Sequence, residues 1–219
     1  MGIEENSTPH GAATGLRETK KRETRQLISD RATELFIAQG FERTTIADIA
    51  DAARVAKKTV TNYFPRKEDL ALDHQDAFTG ALAATVADRA PGESALAALH
   101  RAFLAAVDAQ DPVAGFAGLG FTRMIADSPT LTTCLRGLHD QREDALAAAL
   151  AEATGAAPTD VEPRTAAAVL GAVHRVLFAR IQQLTLAGRT DEEIAAEVRA
   201  EAEAAFTLLE PSLATYATA

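Results

Sequence analysis

Residues 44–64 read TTIADIADAARVAKKTVTNYF. Ile46, Ile49 and Ala50 fall at the spacing of one helix face, Thr44 and Thr45 supply a capping oxygen ahead of them, and the period stops near Ala53. The connector Arg54-Val55-Ala56 leads into KKTVTNYF, where Val60 and Phe64 at i, i+4 form an inner face and Pro65 closes the segment. Two short helices joined by so tight a turn make a helix-turn-helix unit, an arrangement that lays its second helix in the DNA major groove.

Upstream, Leu27, Ile28, Leu35 and Phe36 recur at helical spacing within residues 15–39, and Gly40 is a natural stop. The charge pattern agrees with a polyanion-binding face. The chain carries a formal net charge of −9, yet residues 16–67 hold 12 Lys+Arg against 7 Asp+Glu, a balance of +5. Residues 71–219 hold 10 against 20, a balance of −10, and no lysine follows Lys67. One segment therefore attracts polyanions while the rest repels them.

The same stretch resembles a known family. ATELF at residues 32–36, Gly40-Phe41 followed by TTIADIA at 44–50, and TVTNYFPRKEDL at 59–70 stand in the order and spacing of the N-terminal DNA-binding domain of the tetracycline repressor (TetR) family. The resemblance covers about fifty residues. It implies an all-α fold in which a three-helix DNA-binding domain precedes a larger helical ligand-binding and dimerisation domain. Three positions depart from the family pattern: Arg54 replaces the glycine of the turn, Ala56 a serine cap, and Arg66 a small capping residue. A non-glycine residue in a left-handed turn costs on the order of 1 kcal/mol, and each missing cap roughly as much.

At about 100° per residue, with Val60 and Phe64 inward, Lys58 and Asn62 point away from the core and Thr59 and Thr61 flank them. Asparagine pairs bidentately with adenine and lysine donates to guanine, so Lys58 and Asn62 are the expected base readers. Thr59 and Thr61 suit a thymine methyl or a phosphate. The resemblance implies phosphate contacts for Thr45, Tyr63 and Lys67, while Lys57 is a contact or a solvated charge. Arg17, Lys20, Lys21, Arg22 and Arg25 reach the minor groove or phosphate, or else form a face balanced by Glu18 and Glu23.

Downstream, punctuation marks helices near residues 67–89, 94–110, 112–127, 129–154, 160–187 and 190–209. The signals include Asp111-Pro112, Ser128-Pro129, capping boxes at Thr159–Glu162 and Thr190–Glu193, and Gly188 as a stop. The expected organisation is a disordered arm at 1–15, the DNA-binding domain at 16–66 and the helical domain at 67–219. His100, His139 and His174 interrupt apolar stripes. In a ligand-binding helical domain, Phe103, Phe116, Phe121, Met124, His174 and Phe178 are the expected cavity wall, with core packing as the alternative. GFAGLG, residues 115–120, lacks the third glycine and preceding strand of a dinucleotide loop, and marks a close helix contact or a loosened helix.

Catalytic patterns are not recognisable. No histidine pair has metal-ligand spacing, no nucleophile elbow occurs, and the single cysteine, Cys134, cannot form an internal disulfide. No apolar run reaches the roughly 18–20 residues of a membrane helix. The expectation is a cytoplasmic, nucleoid-associated, non-enzymatic regulator without cofactor, metal or membrane partner. It binds a palindromic DNA operator as a homodimer and is released by a small, largely apolar effector. The alternative is a constitutive or architectural DNA-binding protein without a pocket.

Overall fold

The structure, a computed structural model, describes residues 10–157 and 159–219. All regular structure in those residues is helical. The described residues divide into two compact units, one ending at Asp73 and the other beginning at His74.

In the first unit α1 (His10–Gln39) is followed by α2 (Ile46–Ala52), α3 (Lys57–Tyr63) and α4 (Lys67–Ala71). Helix α1 begins at His10 rather than near residue 15, while residues 1–9 of the expected arm lie outside the described residues. The core collects Ile28, Ala32 and Phe36 of α1, Ile49 and Ala50 of α2, Val60 of α3 with Phe64 just after it, and Leu70 of α4, all buried. Each large apolar side chain so buried contributes about 1.5–3 kcal/mol. Leu27, by contrast, is exposed.

Helix α4 belongs to this unit, so the predicted single helix over 67–89 does not form. Leu70 and Ala71 are buried, the Ser29 hydroxyl donates to the Asp73 carboxylate, and Leu72 leaves helical geometry at φ −120°, ψ 45°. The boundary accordingly falls after Asp73 instead of at residue 66.

The second unit contains α5 (Gln75–Ala87), α6 (Ala95–Asp108), a 3-10 turn (Pro112–Ala114), α7 (Gly118–Asp127), α8 (Pro129–Thr154), α9 (Val161–Leu186), α10 (Asp191–Thr207) and α11 (Glu210–Leu213). Helices α5, α6, α8, α9 and α10 surround a core that includes Leu82, Leu99, Leu146, Leu170, Ile181 and Val198. Chain-end groups close one side, where Ala219 N–H donates to Glu93 O at 3.2 Å and Ala95 N–H to Tyr216 O at 3.3 Å.

Two local expectations over this unit fail for identifiable reasons. The predicted helix over 112–127 splits at Gly115, whose φ of +126° lies outside helical geometry and whose added Cβ would sit 3.2 Å from Ile181, closer than a side chain ordinarily packs. The predicted box at Thr159–Glu162 does not form. Asp160 is the N-cap, Pro163 at the third helical position has no N–H to donate, and the Asp160 carboxylate instead accepts from Ala157 N–H at 2.9 Å. The Thr190 box forms as expected, with Glu193 N–H on Thr190 Oγ1 at 3.3 Å and Thr190 N–H on Glu193 Oε2 at 3.1 Å.

Candidate functional site

The turn between α2 and α3 is built by the backbone. Val55 N–H donates to Ala50 O at 2.9 Å and Arg54 N–H to Asp51 O at 3.2 Å, the paired bonds of a Schellman ending, with Arg54 at the left-handed position, φ +55°. Thr45 starts α2 through a reciprocal box. Asp48 N–H donates to its hydroxyl oxygen at 3.2 Å, and the Thr45 amide and hydroxyl both donate to Asp48 Oδ2 at 2.8 Å. Those bonds hold the Asp48 carboxyl below its usual range. Helix α3 starts at Ala56 without a side-chain cap.

Anchored by buried Val60 and Phe64, α3 presents Lys57, Lys58, Thr61 and Asn62 as exposed side chains and Thr59 and Tyr63 as half-buried ones. Lys57 and Lys58 make no ion pair within 4.0 Å among the described residues, although the Lys57 charge is felt by Asp48, and they leave a cationic, hydrogen-bonding ridge. Lys67 is differently placed. Its ammonium donates to the carbonyls of Phe41 and Thr44 at 2.8 and 3.2 Å and lies 4.1 Å from the Phe41 ring centroid, which ties α4 to the loop ahead of α2. Arg25, although exposed, lies 4.2 Å from the Phe64 ring centroid and donates to Tyr63 O at 3.2 Å. Arg17, Lys20, Lys21 and Arg22 stay exposed on α1.

In the second unit a cavity of about 170 Å³ lies among α5, α6, α8, α9 and the 3-10 turn. Leu82, Leu99 and Phe103 supply apolar wall, and Asp111, Arg142 and His174 the polar wall. Of the residues expected there, Phe103 and His174 meet at the cavity, with ring centroids 5.6 Å apart. Phe116, Met124 and Phe178 are buried elsewhere, and Phe121 is half-buried on α7. Phe178 packs edge-on against Phe78 and His139, while His100 stacks on Phe206 with centroids 4.5 Å apart.

His174 is 6% exposed, and its Nε2 has no hydrogen-bond partner. Burial, with the nearby Arg142 charge, pushes its pKa down to about 3, so the ring is neutral near pH 7. Arg142 is missing from the sequence-derived wall. It is 7% exposed, its guanidinium carbon lies 4.6 Å from the Phe78 ring centroid, and its Nε has no partner. Burial lowers its pKa to about 10, opposed by the Asp111 carboxylate, and the side chain remains cationic. Asp111 itself accepts from Val113 N–H at 2.8 Å. A signal for Arg142 exists in the sequence, because it occupies the core position of the stripe Leu131, Leu135, Leu138, Leu146, Leu150.

Residues 28–73 match the family model described as bacterial regulatory proteins, tetR family. Over 177 residues the chain is 35% identical to the HTH-type transcriptional regulator TcmR of Streptomyces glaucescens, spanning 78% of this chain and 77% of that one. The fold is similar to that of NalD from Pseudomonas aeruginosa, the secondary repressor of the MexAB-OprM multidrug efflux pump. That match has a TM-score of 0.56 and 19% identity, over 88% of this chain and 98% of NalD. It is also similar to SmeT, solved as a complex with triclosan, with a TM-score of 0.55 and 18% identity over 88% of this chain and 92% of that one.

Proposed function

The chain belongs to the tetR family of bacterial regulatory proteins, and from that premise we propose that it is a cytoplasmic homodimeric repressor that binds a palindromic operator and is released by a small, largely apolar effector. The observation that carries the DNA half is α3, a helix anchored by buried Val60 and Phe64 with Lys57, Lys58, Thr61 and Asn62 exposed on its outer face. Lys58 and Asn62 read base edges. Thr59, Thr61 and Lys57 meet a thymine methyl or phosphate, and Tyr63 sets register. Thr45 and Lys67 support the interface chiefly through the α2 box and the 41–44 loop they brace, while still offering surface to phosphate.

The dimer reading rests on α9. Val169, Val176 and Leu186 are 39%, 66% and 40% exposed, and with Ala172, Ala179 and Gln183 they form a continuous stripe at helical spacing. Exposed Ala196, Ala200 and Ala204 of α10 offer a second flat surface. An apolar stripe of this length on an otherwise acidic unit suits a second copy, and two copies present two recognition helices to major-groove faces about 34 Å apart. The effector reading rests on the cavity, whose unpartnered Arg142 and His174 weigh against a constitutive DNA-binding protein without a pocket. An effector that binds better to the form with mismatched helix spacing shifts the population and lowers operator affinity.

The test is operator-binding titration. Asn62→Ala weakens the operator complex by about 1–3 kcal/mol and relaxes preference at one base position. Equal loss on scrambled DNA would assign Asn62 no reading role. A cavity ligand that binds the protein and leaves operator affinity unchanged would refute the switch.

A further inference from the structure

The polar wall of the cavity carries chemistry that an apolar effector alone leaves unused. Among the described residues Arg142 makes no hydrogen bond and no ion pair and its buried Nε has no partner; its guanidinium carbon lies 4.6 Å from the Phe78 ring centroid, and its charge is felt by His139, His174 and Asp111. A guanidinium carries its N–H donors in one plane, and that fork matches the two oxygens of a carboxylate. A buried N–H donor without an acceptor is unfavourable, and Arg142 Nε is one, so an acceptor entering the cavity completes it. Asp111 is the only carboxylate in the cavity wall, and it lies outside ion-pair distance of Arg142 while capping the 3-10 turn. His174 Nε2 faces the same problem in neutral form, one unsatisfied hydrogen-bonding atom on the opposing helix. Between them Leu82, Leu99 and Phe103 provide an apolar slot. At about 170 Å³ it is close to the engineered apolar cavity of roughly 150 Å³ that accepts benzene.

We propose that the effector is an aromatic or alicyclic acid: its carboxylate is received by the Arg142 fork, its single-ring body lies against Leu82, Leu99 and Phe103, and His174 Nε2 pairs with a hydroxyl or carbonyl on the ring. This rests on the ligand-responsive reading above and names the class of molecule for that same cavity. The acid group also explains how a small ligand is distinguished from the many neutral apolar molecules of similar size, because an acid pairs with the Arg142 cation more strongly than a neutral acceptor does.

Calorimetric titration and thermal shift of the full-length protein with benzoate, benzamide and cyclohexanol at neutral pH test it. The wild type binds benzoate at least about tenfold more tightly than benzamide, the ratio expected of a charge-assisted pair. Arg142→Met brings benzoate down to the benzamide level while helicity by circular dichroism is unchanged. Arg142→Lys, which keeps the charge and loses the fork, retains part of the preference, and it decides the matter if Arg142→Met does not fold. Equal binding of benzoate and benzamide, or benzoate binding undiminished in either variant, overturns the acid inference and leaves the effector cavity standing. If none of the three probes binds or shifts the melt, the cavity is not an effector site at all, and both readings fall.

Discussion

Arg54 offers a substitution whose effect can be worked out before it is measured. It holds φ at +55° in the turn between the two helices of the DNA-binding motif, and its side chain is exposed. A side-chain-bearing residue in that region costs about 1–2 kcal/mol. Glycine removes the strain but loses about 0.5–1 kcal/mol more backbone freedom on folding. Arg54→Gly should therefore stabilise the motif by a net of about 0.5–1 kcal/mol. Arg54→Ala, which keeps the strain, should be close to neutral, so the difference between the two variants isolates the backbone. Native-state hydrogen exchange reads this locally: amides of α2 and α3 should exchange about two- to fivefold more slowly in Arg54→Gly than in Arg54→Ala. Equal or faster exchange in the glycine variant would refute the strain argument. The same pair on DNA separates a second role, because a DNA contact by the guanidinium predicts equal affinity losses in both.

Helix α3 lacks a cap at Ala56, so Ala56→Ser should raise stability by about 0.5–2 kcal/mol in urea unfolding. His174 gives a pH dependence of definite sign. Its folded pKa, near 3, lies below the ordinary 6.5, so between those values the unfolded chain binds a proton that the native one does not, and stability falls as pH falls through that window. The slope is about 1.4 kcal/mol per pH unit, and His174→Gln should flatten the acid limb of an unfolding series from pH 6.5 to 5. Val176→Asp on the exposed α9 stripe should shift the protein to monomer in sedimentation and weaken operator binding while leaving helicity intact.

Legibility in the sequence followed the range of the forces involved. The first unit was readable because its period, caps and turn are local: Ile49, Val60 and Phe64 are buried as their spacing predicts, and Thr45 caps α2. Arg54, standing where the resemblance implies glycine, takes the left-handed backbone that the turn requires. The breaks at 72–74 and 115–117 were not readable, since one depends on α4 packing with α1 and the other on the approach of Ile181 to Gly115. The cavity was half readable. Phe103 and His174 are legible from residue type, whereas Arg142 is not, because a charge within an apolar stripe reads as a break in the pattern until the fold shows it buried. Phe116, Met124 and Phe178 show the limit of choosing by type, since an apolar residue on an inward face is equally suited to core.

If a dimer binds a specific DNA sequence through α3, a protection footprint of the purified protein on the DNA flanking its own gene, at two salt concentrations and with scrambled competitor, will show it. The expected footprint is palindromic, with half-sites about one helical turn apart, resists the competitor, and is weakened at symmetric positions by Asn62→Ala. Binding that vanishes with salt and shows no preferred sequence would contradict it.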